Sequence, residues 1–129
     1  MTPIVPNNHL AAYEAAFASS MQALDLDTSE WFMTALSGGP DSTALACLAD
    51  LYARSHDKHH QAVIVNHNIR HDAPSEALRV SQRMKDRDIA SQILTIDDKS
   101  PTTGVQEWAR KKRFAALTKV ARQKGAVLL

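Results

Sequence analysis

The sequence holds a single cysteine, Cys47, among its 129 residues. One thiol can close no intrachain disulfide and build no cysteine-only metal cluster; it argues against redox chemistry and agrees with a reducing compartment. Long apolar runs are equally scarce. No stretch approaches the ~20 residues of a membrane-spanning helix, and Asn7, Asn8 and His9 stand where a signal peptide would carry its apolar centre, so the expected location is the cytoplasm. Charge of one sign is lacking too. With 15 Lys and Arg against 14 Asp and Glu, the net charge of +1 gives no global electrostatic reason to expect nucleic acid. Internal repeats and low-complexity segments are absent. What is present, 44% apolar and 22% charged residues in a chain of single-domain length, describes a globular domain with a modest core.

Residues 1–8 carry the first two prolines and two asparagines and read as an irregular lead-in. An alanine-rich stretch from His9 to Leu24 has Leu10, Tyr13, Phe17 and Leu24 at near-helical spacing, so residues 1–30 are expected to form a helical lead-in to the main fold. Trp31 to Leu36 is a short apolar run ending in a glycine turn, the pattern of a buried strand, and Thr43 to Tyr52 is small and apolar, as suits a helix packed on a sheet. Gln61 to Asn66 reads as a second strand covered on both faces, because Val63, Ile64 and Val65 do not alternate with polar residues. Asp72 and Pro74 announce a helix over about Ser75 to Asp88, and Ser91 to Ile96 a third strand. A long helix from about Gly104 to Lys124 stops at Gly125, and Ala126 to Leu129 begins a fourth strand. Strands alternating with helices predict a doubly wound parallel α/β sheet, incomplete at its last strand.

Chemistry concentrates in Ser37-Gly38-Gly39-Pro40-Asp41-Ser42, between the first strand and its helix. Parallel sheets place working loops at the carboxyl ends of strands, where helix N-termini point N–H groups and partial positive charge outward. The glycines allow close backbone approach, the hydroxyls of Ser37 and Ser42 can donate to phosphate oxygens, and Asp41 offers a carboxylate for magnesium. No G-x-x-x-x-G-K-[ST] and no G-x-G-x-x-G occurs, which removes the other common phosphate loops. An ordinary turn followed by a helix cap has a similar composition. However, S-G-G-x-D-S arises by accident in roughly one chain of this length in several thousand at average residue usage.

The loop resembles the PP-loop of the ATP pyrophosphatases, which split ATP between its α- and β-phosphates and adenylate a carbonyl-like oxygen. Two further stretches narrow the resemblance. Val65-Asn66-His67-Asn68-Ile69-Arg70 is similar to a strand-end pattern of the tRNA(Ile)-lysidine synthetases, and the run Gly104 to Phe114, GVQEWARKKRF, is similar to that family's G-[IL]-Q-x-x-A-R-x-x-R-[YF] helix start. Val105 and Phe114 are mild departures. The three motifs span residues 31–129, leaving out residues 1–30 and the family's next strand-end signature, expected after Leu129. The resemblance implies the N-terminal part of an ATP-dependent ligase that uses ATP and magnesium to join free lysine to the wobble cytidine of tRNA(Ile). It implies Ser37, Gly38, Gly39, Pro40, Asp41, Ser42 and His67 at the nucleotide, Asp41 as magnesium ligand, and Asp41, Arg110 and Arg113 in catalysis or phosphate contact. Alternatives are a PP-loop enzyme of tRNA 2-thiolation, which commonly uses a C-x-x-C pair missing here, and a nucleotide-binding module without catalysis. A fragment of this kind is expected to be inactive alone.

Helical projection supports the third motif independently. At 100° per residue, Val105, Ala109, Ala116, Leu117 and Val120 form the buried face, Lys111 and Arg122 point away, Arg113 falls inside the apolar arc and Arg110 on its margin. A guanidinium near a core face needs a partner, and phosphate at the sheet edge is one; a snorkelling surface arginine is the other reading. The same helix carries seven cations against Glu107, a solvated face or a contact for the tRNA backbone. His67 can orient phosphate or base, move a proton, or simply end a strand. His56, His59 and His60 read as loop residues without metal-ligand spacing, and Cys47, Trp31 and Trp108 as packing.

Overall fold

The structure, a computed structural model, describes residues 7–68 and 73–129. Its elements run α1 (Asn7–Ala23), β1 (Trp31–Leu36), α2 (Pro40–Ser55), β2 (His59–Asn66), α3 (Ala73–Asp86), β3 (Ser91–Thr95), α4 (Val105–Lys124) and β4 (Val127–Leu128). The four strands form one parallel sheet in the order β3-β2-β1-β4, as the alternation of strands and helices predicts. The chain first steps outward from β1 to β3, then crosses back to the other side of β1. That reversal places a crevice at the carboxyl end of β1, where open α/β sheets bind ligands.

Both sheet faces are covered, for reasons visible in the strands. Leu36, Ala62 and Ile64 pack with Ala46 of α2 and with Ala77, Val80 and Met84 of α3 on one face. Met33 and Val63 pack with Leu117 and Ala121 of α4 on the other. Alternate residues therefore serve opposite cores. The buried positions of α2 are Ala46, Ala49, Tyr52 and Ala53, mostly alanine, so the helix that follows the Ser37–Ser42 turn lies close against the sheet. In α3 the buried Ala73, Ala77, Val80 and Met84 recur at helical spacing. The N-terminal helix is more than a lead-in. Met21 is buried against Phe32 and Tyr52, with Phe17 and Ala18 beside it, so α1 shares the core of the sheet.

Several boundaries differ from the sequence expectations. Asn7 and Asn8 already belong to α1, while residues 1–6 lie outside the described residues, as do Ile69 and Arg70 of the strand-end motif and the helix-start residue Asp72. α2 begins at Pro40 rather than Thr43, because a proline at the first helical position brings a suitable φ and lacks an N–H that would go unpaired there. β2 begins at His59 rather than Gln61. Trp31 pairs with His59 and Phe32 with His60, and the Trp31 and His59 rings stack 4.6 Å apart. The reading of His56, His59 and His60 as loop residues is therefore corrected: two belong to a strand, and His56 caps α2 with its backbone N–H on Tyr52 and Ala53 carbonyls. Two histidines hid the strand start: His59 is exposed, and the burial of His60 is offset by hydrogen bonds rather than by apolar character.

Candidate functional site

The turn after β1 is closed by its own hydroxyls. The Ser37 N–H donates to Ser42 Oγ at 3.0 Å, the two serine Oγ atoms lie 3.0 Å apart, and Gly39 N–H donates to Ser37 Oγ at 3.3 Å. Ser42 Oγ and Thr43 Oγ1 both reach the Gly39 carbonyl, at 3.3 and 2.8 Å. The loop is thus held in one shape before any ligand arrives. Gly38 has φ +90°, a region L side chains rarely adopt, and a Cβ there would lie 3.0 Å from Val80 Cγ2 of α3. Gly39 N-caps α2 with no side-chain hydrogen bond, and Pro40 at the helix start has no N–H to give. The first amide used within the helix is that of Thr43, donating to Gly39 O at 3.1 Å. The amides of Asp41 and Ser42 fall in the first helical turn, which has no preceding carbonyls to pair them, and together with the positive end of the helix dipole they make the arrangement that favours anions. The exposed Asp41 stands in this first turn.

Beside the turn lies a cavity of about 260 Å³, lined by Leu36, Ser37, Asn66, His67, Glu76 and Arg113 among others. Small-molecule pockets begin near ~300 Å³, so a nucleotide would be only partly enclosed here. Ser37, His67 and Arg113, expected at one site from three separate motifs, meet in this cavity. Arg113 is half-buried at the margin of the packed face of α4, whose buried residues are Leu117 and Ala121, while Val105, Ala109, Ala116 and Val120 are half-buried. Arg110, three residues earlier, goes elsewhere. It is exposed and bonded to Glu107, Nη2 to Oε1 at 2.7 Å and Nε to Oε2 at 3.2 Å; that partner holds the Glu107 carboxyl below its usual range. Asn66 and Glu76 line the cavity but escaped the residue-by-residue reading. Asn66 is buried and accepts the Asn68 N–H at 3.0 Å, fixing the chain as it leaves β2. Glu76 follows from the Ala73, Ala77, Val80 spacing, which sets residue 76 at the edge of the same helix face.

A family model described as the PP-loop domain matches residues 11–129. The chain belongs to the PP-loop family. Among curated relatives, this PP-loop chain is 36% identical over 116 residues to a tRNA(Ile)-lysidine synthase of Novosphingobium aromaticivorans, covering 90% of the chain and 34% of that protein. It is 32% identical over 114 residues to a tRNA(Ile)-lysidine synthase of Mesorhizobium japonicum, covering 81% of the chain and 23% of that protein. The chain thus spans about a quarter to a third of the length of these relatives. Among solved structures, a U34-tRNA thiolase of Methanococcus maripaludis, determined with its 4Fe–4S cluster, matches 92% of the chain and 44% of its own with a TM-score of 0.75 at 16% identity. That likeness concerns the fold.

The remaining cations of α4 in this PP-loop chain have separate fates. Lys112 pairs with Asp98, Lys124 lies 5.6 Å from the centre of the Trp31 ring, and Lys111, Lys119 and Arg122 are exposed. Phe114, 66% exposed, sits with Lys119 and Arg122 on the outer face of the helix. Cys47 is half-buried against the α2–α3 core, and burial pushes its thiol up, which suits packing better than reactivity. Among the described residues no group of His, Cys, Asp and Glu forms a ready metal site, and no helix is long and apolar enough to cross a membrane.

A buried histidine lies nearer the amino ends of the strands. His60 has a fully buried side chain, with Nε2 2.9 Å from Thr34 Oγ1 and Nδ1 3.2 Å from Asp50 Oδ1. Burial pushes its imidazole below the ordinary histidine range, and the hydrogen bond and charge of Asp50 pull it partly back. The unfolded chain, with its histidine near ~6.5, therefore takes up the proton first on acidification. Stability from this group is complete above that pH, falls as the pH drops below it, and levels once the folded ring is protonated. Urea midpoints measured across this window should fall with acidity in the wild type and fall less in His60→Gln.

Proposed function

We propose that this PP-loop chain carries the ATP site of a tRNA(Ile)-lysidine synthetase acting in the cytoplasm. In this reading the C2 oxygen of the wobble cytidine of CAU-anticodon tRNA(Ile) attacks the α-phosphorus of ATP, the bond to the bridging α–β oxygen breaks, and pyrophosphate leaves. The ε-amine of free lysine then adds at C2 and expels AMP, giving lysidine after loss of a proton. The observation that carries the reading is the meeting of Ser37 of the closed serine-glycine turn, His67 and Arg113 around one cavity at the carboxyl end of the sheet. The relatives' names support the same class of reaction.

Each residue has a physical duty. Amides of the α2 first turn and the hydroxyls of Ser37 and Ser42 bind the phosphates, Gly38 and Gly39 keep the backbone close, and Pro40 starts the helix without obstructing the anion. Arg113 meets phosphate or the adenylated base with a planar fork of donors. His67 orients the nucleotide. Arg110 reaches substrate only by leaving Glu107, so its contribution is the smaller of the two arginines. Asp41 fits magnesium, which uses one or two carboxylates with phosphate oxygens completing its shell. When bound, the ion would neutralise charge gathering on the departing pyrophosphate.

The reading is tested by exchanging the matched segment of the Novosphingobium enzyme for residues 11–129 of this chain. The chimera should form lysidine on tRNA(Ile), detected by mass spectrometry of the nucleosides, and should catalyse ATP:pyrophosphate exchange; Asp41→Ala should lose both. The 129 residues alone should bind ATP yet leave tRNA unmodified. A folded chimera that releases no pyrophosphate, or one that thiolates the base, overturns the proposal.

A further inference from the structure

Thr34, His60, Asp50 and Arg54 form a continuous polar chain through the α2 face of the sheet, and none of them touches the cavity. The chain has a definite direction. Asp50 uses both oxygens: Oδ1 accepts from His60 Nδ1 at 3.2 Å and Oδ2 from Arg54 Nε at 2.7 Å. With Nδ1 protonated, Nε2 is left as an acceptor, and the Thr34 hydroxyl donates to it. Arg54 continues outward to the Asp88 carbonyl and carboxylate beyond the end of α3. The charged groups in reach of the ring are thus Asp50 and, through it, Arg54 and Asp88.

Each end of this chain is tied to the Ser37–Ser42 turn. Thr34 lies three residues before Ser37 on β1, about 10 Å along the strand. Asp50 lies eight residues beyond Ser42 on α2, about 12 Å along the helix. The rest of the buried α2 face is mostly alanine, Ala46, Ala49 and Ala53. Small, smooth side chains resist sliding and rotation poorly, because they offer no ridges to interlock. Tyr52, near the far end of α2 from the turn, packs on Phe32 of β1 and Phe17 of α1. A directional hydrogen bond inside the sheet interface supplies the setting that alanine packing lacks. Its geometry is satisfied at one height and one rotation of α2.

We infer that Asp50 and His60 are positioning residues: by tying α2 to β1 and β2, they set the height of the helix's first-turn amides against Ser37 to Ser42. The inference rests on the reading of that turn as the ATP site. Breaking the tie lets α2 shift, and sub-ångström misplacement of anion donors weakens binding at a site the altered residue never touches.

The test compares ATP affinity by calorimetry with amide exchange along α2 in the 129-residue chain. Asp50→Ala should weaken ATP by about tenfold and speed exchange at Thr43 to Cys47, while the β2 amides of Val63 to Val65 keep wild-type protection. Asp50→Asn, which retains an acceptor for Nδ1–H, should restore both readings. Thr34→Val, which keeps shape and removes the hydroxyl, should act in the same direction as Asp50→Ala, and it carries the test if the alanine variant does not fold. Folded variants that bind ATP as the wild type does, with unaltered exchange at Thr43 to Cys47, overturn the inference. A wild-type chain that shows no heat with ATP defeats the nucleotide reading instead. Exchange then decides alone: selective loosening of Thr43 to Cys47 upholds positioning, and no change ends it.

Discussion

Gly38→Ala should weaken ATP binding by about 10- to 100-fold, because two separate constraints meet at that α-carbon. The first is conformational: φ is +90°, and holding an L residue in such a region costs roughly 1–3 kcal/mol. The second is steric. The added Cβ would stand 3.0 Å from Val80 Cγ2, and Val80 is a buried residue that can move only by disturbing the α3 core. Either relief, a flipped peptide or a displaced α3, breaks the hydroxyl ring that closes the turn. Gly39 is an internal comparison. Its φ is −77° and a Cβ there meets only Ser37 Oγ at 3.5 Å, so Gly39→Ala should keep near-wild-type thermal stability. Combining Gly38→Ala with Val80→Ala should recover part of the loss, since it removes the clash and leaves the backbone strain. Melting temperatures and calorimetry with ATP on the four chains separate these contributions. Equal behaviour of the two glycine variants would show that the turn is not held as described.

Arg113→Ala should lower ATP:pyrophosphate exchange in the chimera by about 10²- to 10³-fold, the cost of removing one preorganised donor from developing charge. Arg113→Lys should restore only a minor share, because a point charge on a flexible stem does not reproduce the planar fork. Arg110→Ala should have the smaller effect, since that guanidinium is exposed and engaged with Glu107 away from the cavity. The physical distinction is one of helix phase. Three residues advance the side chain by about 300°, which leaves Arg110 outside the cavity that Arg113 lines. Exchange rates that fall equally in both alanine variants would contradict this division, and an unaffected Arg113→Ala would remove the residue from the site.

The helix and strand order, and the turn after β1, were legible because local signals carried them. Apolar runs of strand length, the Ser37 to Ser42 pattern and glycine stops act within a few residues of their own position. Gly125, for instance, ends α4 with φ +63° and its N–H on the Ala121 and Arg122 carbonyls, as a glycine after a helical run foretells. The start of β2 was not legible. His59 and His60 look like loop residues until β1 is beside them, since their partners Trp31, Thr34 and Asp50 lie 10 to 28 positions away in the chain.

The sequence by itself determined the class of fold, the serine-glycine turn after β1 and the identity of the helix that returns an arginine beside it, because periodicity and turn chemistry are properties of neighbouring residues. Only the tertiary structure decided which arginine enters the cavity, that Glu76 and Asn66 share it, that α1 belongs to the core, and that a buried histidine links α2 to the sheet. Those outcomes depend on strand order and helix phase, and both are fixed by packing between segments far apart in the chain.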